Sequence, residues 1–360
     1  MNRTKKLGQI FALGVLVTVL GLALAWSTVR GQVKLADVYW NILLDAGLVE
    51  PGSYVGPHFW AVSISPDGRR LAAGGMSRDV LLYDLESGRP LPSPYRHSEW
   101  VMEVLWSDDG RWFASTSFAG EVVVQEDASG EVVYRSAGRD VAYTVAFHPE
   151  EPLLAWGAYD GTVRIVDISV GAEVRRFPAH EGGVLYVTWT PDGLVVASTG
   201  EDGMIRLWST LDGSPVGALE GHEAGITSVS FSSDGRRAVS GGDDATVRFW
   251  DVAAARALRV ESPHRGWVNF STFLPDGRSL SVGTDPNVFV WSSDLQVAPR
   301  QLKGHEDWLM CVRVFPDGKR FVTTGKDGTA RIWDAERLEL LQSIDLWAAI
   351  DPGGLRWPAL

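Results

Sequence analysis

The sequence is poor in cysteine and in clustered basic residues. Its single cysteine, Cys311, rules out an intrachain disulfide and a cysteine-rich zinc site. Because Cys311 lies in an apolar, strand-like stretch, we expect a buried thiol that packs as a small hydrophobic side chain. The net charge of the 360 residues is −12, and Lys and Arg do not cluster beyond the extreme N-terminus. The sequence therefore predicts no nucleic-acid partner, since binding to a phosphate backbone depends on such clusters.

The motifs of common enzyme and cofactor sites are also missing. The sequence has no glycine-rich phosphate loop, no zinc-ligand spacing and no nucleophile elbow. We therefore predict no catalytic residue, no cofactor and no metal ligand. Tryptophan, by contrast, is abundant, with 16 residues at recurring positions.

A repeat of about 42 residues runs from residue 52 to residue 344. In each unit a turn, usually Asp-Gly, separates two apolar runs, which is a strong hairpin signal. A second turn precedes a strand in which residues alternate with period two, such as TVRIVD or MIRLWS. The first turns of the seven units are Pro66-Asp67-Gly68, Asp108-Asp109-Gly110, Pro149-Glu150, Pro191-Asp192-Gly193, Ser233-Asp234-Gly235, Pro275-Asp276-Gly277 and Pro316-Asp317-Gly318.

Each unit holds four short antiparallel strands that cannot bury their apolar faces alone, whereas radial stacking of the units buries them all. With Gly-His near its start and Trp-Asp near its end, the repeat resembles that of the WD-repeat family. The resemblance implies an all-β, seven-bladed β-propeller over residues 52–344. In the family the N-terminal segment usually completes the last blade. Here residues 338–344, LELLQSI, can supply that strand, so the closure of the ring stays open.

The resemblance also implies a hydrogen-bonded tetrad in each blade. It consists of a His before the first strand, a Ser or Thr on the second, an Asp in the following turn and a Trp on the third. Such a chain fixes strand register because each buried donor meets an acceptor. Units four to seven carry complete sets, which are His180, Ser198, Asp202 and Trp208; His222, Ser240, Asp244 and Trp250; His264, Ser281, Asp285 and Trp291; and His305, Thr323, Asp327 and Trp333.

The first three units depart from this pattern, so we expect their blades to be less rigidly specified. The second unit keeps His97 and Ser115 but has Ala119 and Gln125 in place of Asp and Trp. The third unit keeps Asp160. The remaining positions hold residues that do not complete a tetrad, namely Gly138, Trp156 and Val166 in the third unit and Val55, Ala73, Ser77 and Tyr83 in the first.

A second set of positions predicts a partner-binding surface. In the family, the residues three and five positions after the tetrad His face the top of the propeller around its central channel. Exposed Trp and Met side chains suit a protein interface. They occur in units six, seven, one and two, which are consecutive around a closed ring, whereas units four and five have Gly183 and Gly225. The predicted surface, called the top-face arc, consists of His58, Trp60, Trp100, Met102, Trp267, Asn269, Trp308 and Met310.

Residues 7–26 form an uncharged apolar stretch long enough to span a membrane. Basic residues precede it, so the positive-inside rule predicts a single-pass anchor within residues 1–30, a cytoplasmic N-terminus and a propeller on the outer side. The alternative is secretion after signal cleavage near Ala25, because Ala23 and Ala25 form a small-x-small pattern. The stretch is longer than the usual signal-peptide core, which favours the anchor.

Two further segments flank the propeller. Residues 31–51 are predicted to form a short linker helix, since their apolar residues recur at helical spacing up to Pro51. The C-terminal tail, residues 345–360, carries Trp347 and Trp357 and offers apolar side chains that can cover the top-face arc from within the chain.

Two functions of different classes are compatible with these features. The first is a non-catalytic, membrane-tethered scaffold that binds a protein or peptide on the top face. The second is an enzyme propeller that holds a metal or cofactor in the channel, which requires converging carboxylates, His or Arg. First-strand sequences such as VSISP, VTWTP and VSFSS place small or apolar residues there, so we expect no such convergence and favour the scaffold. A role limited to oligomerisation in the membrane gains no support, because the anchor has no GxxxG motif.

Overall fold

The computed structural model describes residues 59–138, 140–346 and 348. In this part of the chain, strands form seven four-stranded antiparallel sheets, and each sheet uses four consecutive strands. The prediction of an all-β, seven-bladed propeller is thereby confirmed. The predicted anchor, the linker helix and nearly all of the C-terminal tail lie outside the described residues. Among the residues that are described, no helix has the length and apolar character needed to cross a membrane.

We number the strands in chain order and call the four strands of each blade a, b, c and d. The a strands are β1 (Phe59–Ile64), β5 (Val101–Trp106), β9 (Ala142–Phe147), β13 (Val184–Trp189), β17 (Ile226–Phe231), β21 (Val268–Phe273) and β25 (Leu309–Val314). The b strands are β2 (Arg70–Gly75), β6 (Trp112–Ser117), β10 (Leu153–Ala158), β14 (Val195–Gly200), β18 (Arg237–Gly242), β22 (Ser279–Gly283) and β26 (Arg320–Gly325).

The outer half of each blade is made by the c and d strands. The c strands are β3 (Leu81–Asp84), β7 (Val122–Glu126), β11 (Thr162–Asp167), β15 (Met204–Ser209), β19 (Val247–Asp251), β23 (Asp285–Trp291) and β27 (Thr329–Asp334). The d strands are β4 (Arg89–Leu91), β8 (Val132–Arg135), β12 (Ala172–Pro178), β16 (Pro215–Glu220), β20 (Arg256–Glu261), β24 (Arg300–Lys303) and β28 (Leu340–Asp345).

The ring closes through packing of side chains. Each a strand contacts the a strands of its two neighbours, and β25 contacts β1, so seven a strands surround a central channel. The seventh blade takes its d strand from Leu340–Asp345, within the LELLQSI stretch, and needs no strand from the N-terminal side. One buried cluster, which includes Phe59, Leu71, Leu309 and Phe321, joins blades one and seven. The closure that the sequence left open is therefore a hydrophobic contact between two complete sheets.

The turns divide the propeller into two faces. Because the strands of a blade alternate in direction, the a–b and c–d turns lie at one edge, and the b–c turns and d–a connections lie at the other. We call the second edge the top face. The predicted Asp-Gly turns between a and b are present, with Gly68 at φ +71° and Gly193 at φ +69°, a conformation in which glycine avoids a Cβ clash. Every tetrad His and Asp therefore belongs to the top face.

The core lies between the blades, where the apolar residues of the strands pack against the neighbouring sheet. Cys311 is buried in the a strand of blade seven, as the apolar pattern around it predicted. Burial raises the pKa of this thiol to about 11, so it remains protonated.

Candidate functional site

A β-bulge opens every a strand and takes one half-buried residue per blade out of the ladder at the top face. In each blade the first and third residues of the a strand pair with strand b, and the residue between them is skipped. A bulged residue leaves the ladder, so its side chain takes a new direction. The bulged residues, in blade order, are Trp60, Met102, Tyr143, Leu185, Thr227, Asn269 and Met310.

On blades one and two, the members of the top-face arc pack against one another. The rings of Trp60 and Trp100 lie 5.9 Å apart, and Trp100 lies at the same distance from Phe118 in the next b–c turn. Trp60 also donates a hydrogen bond from Nε1 to the carbonyl of Val101 (2.6 Å), across the blade boundary. Trp60, Trp100 and Met102 are half-buried. His58 lies outside the described residues.

On blades six and seven, the arc is more open to solvent. Trp267 is 55% exposed and Trp308 is 39% exposed. The ammonium group of Lys326 lies 3.6 Å from the centre of the Trp308 ring. Asn269 donates to the carbonyl of Leu309 (2.7 Å) and lies 3.6 Å from the sulfur of Met310. The two exposed indoles therefore stand on adjacent blades above a pair of bulged residues that bridges those blades.

Three of the bulged residues join neighbouring blades by hydrogen bonds. Thr227 donates to the carbonyl of Val268 (2.5 Å), as Trp60 and Asn269 donate to the first carbonyl of the next a strand. These hydrogen bonds join neighbouring blades, so the bulged residues are partly structural. Trp267 and Trp308 precede their strands, and their indole nitrogens form no hydrogen bond within the described chain. These two side chains are the most exposed of the arc residues that the structure describes.

The central channel differs from our expectation. We predicted small or apolar residues along the a strands, and this prediction was wrong for blades two, four and seven. The guanidinium of Arg313 reaches across the channel to Glu103 (3.3 Å) and to the hydroxyl of Tyr186 (3.5 Å). It also lies 4.1 Å from the centre of the Phe270 ring. The three sequences that we used came from other strands or stopped short of these residues, so the convergence was missed.

The opposite charges of Glu103 and Arg313 in the channel balance each other. Glu103 is 6% exposed, and burial raises its pKa although Arg313 lies close by. The guanidinium stays protonated in proteins and supplies the opposite charge. Within the described ranges, no group of three or more His, Cys, Asp or Glu side chains is arranged to hold a metal ion. Arg313 therefore links blade seven to blade two through Glu103 and to blade four through Tyr186.

The structure brings together the four residues of each tetrad in blades four to seven. In blade five, Trp250 donates to Ser240 (2.8 Å), Ser240 lies 2.8 Å from Nε2 of His222, and Nδ1 of His222 lies 2.9 Å from Asp244. The other three blades repeat this arrangement, with contacts between 2.7 and 3.1 Å for His180, Ser198, Asp202 and Trp208; His264, Ser281, Asp285 and Trp291; and His305, Thr323, Asp327 and Trp333.

The protonation states and hydrogen bonds of the tetrads indicate a structural role. Burial, partly offset by the neighbouring carboxylate, lowers the pKa of His180, His222 and His305, so these rings are neutral. A neutral ring can donate from Nδ1 to Asp and accept from Ser at Nε2, which leaves no group unpaired. The hydroxyls of Ser198 and Ser240 are fully buried and already accept from Trp, so they are not placed to attack a substrate.

Blade two replaces the missing Asp with a glutamate that the repeat pattern did not identify. Ala119 stands at the Asp position, but Glu121 accepts from Nδ1 of His97 (3.1 Å) and from the backbone of Ser98 (2.9 Å). Although burial acts to raise it, hydrogen bonds from Ser98, Arg135 and His97 lower the pKa of Glu121 to about 2. His97 also contacts Ser115 (2.8 Å). Three of the four tetrad roles are therefore filled.

The fourth role in blade two is not filled. Gln125 occupies the Trp position and is buried, and its Oε1 atom has no hydrogen-bond partner within the described chain. In blade one, Ala73 is buried, Ser77 accepts from the backbone of Asp79 (3.0 Å) and Tyr83 is half-buried, while Val55 lies outside the described residues.

Blade three has no tetrad and contains a cavity near the position of the missing His. Gly138 and Trp156 are among the residues that line a cavity of about 310 Å³. The buried Trp156 ring is covered by the guanidinium of Arg164, which lies 4.5 Å from its centre and 2.8 Å from Asp160. Val166, at the Trp position, is buried. Here Asp160 binds an arginine in place of a histidine, and an indole fills the space beside it.

Comparison with known proteins gives one family. The sequence model described as "WD domain, G-beta repeat" matches residues 52–84, 88–124, 171–209, 213–251 and 297–334, which together make just over half of the chain. Units three and six are not matched. The third lacks a tetrad, and the sixth has its His and Asp 21 positions apart where the fourth has 22.

Individual relatives share single stretches of the chain. Protein groucho of Drosophila melanogaster is 37% identical over 67 residues, which cover 19% of this chain and 9% of the relative. WD repeat-containing protein SL1-17 of Schistosoma mansoni is 29% identical over 140 residues, 38% of this chain and 46% of the relative. Transcription initiation factor TFIID subunit 5 of Caenorhabditis elegans is 29% identical over 145 residues, 40% of this chain and 22% of the relative. In each case the match spans less than half of the relative.

Proposed function

Because this chain belongs to the WD-repeat family, whose propellers typically hold protein partners, we propose that it is a protein-binding scaffold whose top-face arc is the docking site. The observation that carries the proposal is the exposure of Trp267 and Trp308 on adjacent blades. Large aromatic side chains contribute much of the binding energy in protein interfaces, and exposing them to water without a partner is unfavourable.

The other arc residues support this assignment. Trp60, Trp100 and Met102 continue the apolar surface around the channel mouth onto blades one and two, where Trp60 contacts Trp100. Met adapts its shape to a partner, and Trp provides a rigid contact area. One relative is, by its name, a subunit of a larger factor, which agrees with a role in holding other proteins.

The enzyme alternative gains little from the charged channel. Arg313 and Glu103 neutralise each other, and Tyr186 and Phe270 pack against the guanidinium. A binding site for a metal or cofactor needs polar groups that remain available to a ligand. The chemistry of the channel is therefore better suited to holding the ring together.

The docking proposal is tested by partner recovery from crosslinked cells. The double variant Trp267→Asp/Trp308→Asp places two charges in the proposed interface, and we expect it to lose the crosslinked partner. The control is Leu211→Asp, because Leu211 is 80% exposed and lies in the c–d turn of blade four, at the opposite edge. Equal recovery by the double variant and the control, with both proteins folded, would contradict the proposal.

We further propose that the scaffold is tethered to a membrane through residues 7–26. The support is the uncharged apolar sequence and the basic residues before it. Alkaline extraction of membranes should leave the full-length chain in the pellet. N-terminal sequencing of the mature protein separates the two fates, since a start just after Ala25 would show cleavage and secretion instead.

A further inference from the structure

The top face changes character between blades three and five. The first residue of the b–c turn is Thr284 in blade six and Lys326 in blade seven, but Glu201 in blade four and Asp243 in blade five. Both carboxylate residues are exposed, and neither lies within ion-pair distance of a cation in the described part of the chain. The acidic side of the ring, on blades four and five, therefore lies next to the exposed indoles on blades six and seven.

Two tyrosines border this acidic pair. The rings of Tyr143, the bulged residue of blade three, and Tyr159, in the next b–c turn, meet edge to face with their centres 6.1 Å apart. Burial, together with the neighbouring Tyr159 and Glu201, raises the pKa of Tyr143 to about 12, so its hydroxyl remains protonated. A tyrosine face attracts a cation through its quadrupole, and a carboxylate beside it adds charge attraction.

Glycines allow these side chains to lie close against the backbone. Gly183 and Gly225 stand where blades six and seven have Trp267 and Trp308. A Cβ at Gly183 would lie 2.7 Å from the Tyr159 ring, and a Cβ at Gly225 would lie 3.2 Å from the Asp243 carboxylate. The Gly183 N–H donates to the Glu201 carboxylate (3.0 Å) and holds it beside the tyrosines. We call the site formed by Tyr143, Tyr159, Glu201 and Asp243 the acidic notch.

We infer that the acidic notch receives a Lys or Arg side chain of the protein segment that docks on the top face, an inference that rests on the proposed docking function. Charge complementarity identifies this occupant, because two unpaired carboxylates and two tyrosine rings favour a cation and disfavour an acidic or phosphorylated segment. Reduced hydration and the nearby charges of Asp244 and Glu201 raise the pKa of Asp243, a strain that a bound cation relieves. The partner thus presents a basic side chain to blades four and five and apolar side chains to the neighbouring blades six and seven.

The test uses the full-length chain in detergent and a library of random peptides displayed on phage. We expect the selected peptides to be enriched in Lys or Arg next to apolar residues. For a selected peptide, the variant Glu201→Gln/Asp243→Asn should weaken binding about three- to thirtyfold, the sum of two partly exposed ion pairs. The control, Asp212→Asn/Asp234→Asn, removes two exposed carboxylates from the opposite edge of the same two blades and should leave the affinity unchanged.

A double-mutant cycle identifies the contact directly. Replacing the basic residue of the peptide by Gln should weaken binding to the wild-type protein but have little further effect on Glu201→Gln/Asp243→Asn. Additive losses, or selected peptides without basic residues, overturn the inference even if Trp267→Asp/Trp308→Asp abolishes binding. Conversely, if that Trp variant binds the selected peptides with unchanged affinity and the same basic preference, the acidic notch stands and the top-face arc fails.

Discussion

Blades four to seven and blades one to three contain the same four-stranded sheets, but they fasten their top edges differently. In the C-terminal four, a buried chain from Trp through Ser or Thr and His to Asp ties the third strand, the second strand, the d–a connection and the b–c turn together. In the N-terminal three, this chain is incomplete or absent, and the sheets form nevertheless. Burial of apolar residues between blades is therefore sufficient for the fold. The tetrad adds hydrogen bonds to strands that already pair without it.

The divergent blades also differ from each other. Blade two rebuilds most of the tetrad with Glu121, whose carboxylate accepts from His97 and Ser98 much as Asp244 accepts from His222 and Glu223. Blade three has no tetrad, and Trp156 and Arg164 fill the space beside a cavity. The carboxylate function can thus move along the chain, whereas in blade three the missing His goes together with the Arg164–Trp156 stack and the cavity.

The largest test of this comparison removes the link between the two groups of blades. Arg313→Met leaves Glu103 charged and unpaired in the channel, so we expect the free energy of unfolding at neutral pH to fall by about 3 to 5 kcal/mol. Urea unfolding followed by tryptophan fluorescence measures it. In the variant, the folded state favours the protonated form of Glu103, whose pKa burial already raises. The folded protein then binds more protons than the unfolded chain, so the deficit should shrink as the pH falls.

The double variant Arg313→Met/Glu103→Leu is the control for this prediction. Replacing a buried ion pair by apolar side chains of similar size is often close to neutral, so most of the lost stability should return. A double variant as unstable as Arg313→Met would show that the arginine stabilises the ring by packing on Phe270 and not by pairing with Glu103.

A smaller loss of stability is expected when Glu121, which replaces the tetrad Asp in blade two, is removed. Glu121→Ala should lower the local stability of blade two by about 1 to 3 kcal/mol, because it leaves the buried His97 ring without an acceptor and removes the partner of the Ser98 N–H. Asp244→Ala should cost a similar amount in blade five. Hydrogen exchange measured blade by blade reports both. If Glu121→Ala changes the exchange of blade two no more than Glu131→Ala, a change at an exposed glutamate of the same blade, the substitution of Asp by Glu121 has no structural role.

The repeat period made the architecture predictable from sequence, because turn spacing and strand alternation recur in every unit. The four complete tetrads could be named by position for the same reason. Glu121 lies outside the repeat register, so a pattern search at position 119 could not find it, although it reaches the same histidine nitrogen. The channel pair was hidden for a different reason, since Glu103 and Arg313 are 210 positions apart and only ring closure brings them together.

The candidate site was predictable in part. The exposed positions of Trp267 and Trp308 follow from the register of the repeat, but the bulge that redirects their neighbours does not show in the sequence pattern. The acidic notch was not predicted, because Gly183 and Gly225 were interpreted as positions that lack a binding residue. In three dimensions the same glycines let the Tyr159 ring and the Asp243 carboxylate lie against the backbone beside Glu201.

The smallest expected effect lies in the third blade. Asp160 stands at the tetrad position, but within the described residues its hydrogen bonds come from Thr162 (2.9 and 2.6 Å) and Arg164 (2.8 Å), all in its own turn and strand. These contacts are largely exposed, so Asp160→Ala should lower the local stability of blade three by less than about 1 kcal/mol. The same hydrogen-exchange measurement, compared with Asp244→Ala, checks this value. A loss as large as that of Asp244→Ala would mean that the Arg164–Trp156 stack is a full replacement for the tetrad, and the contrast between the two groups of blades would then reduce to blade one.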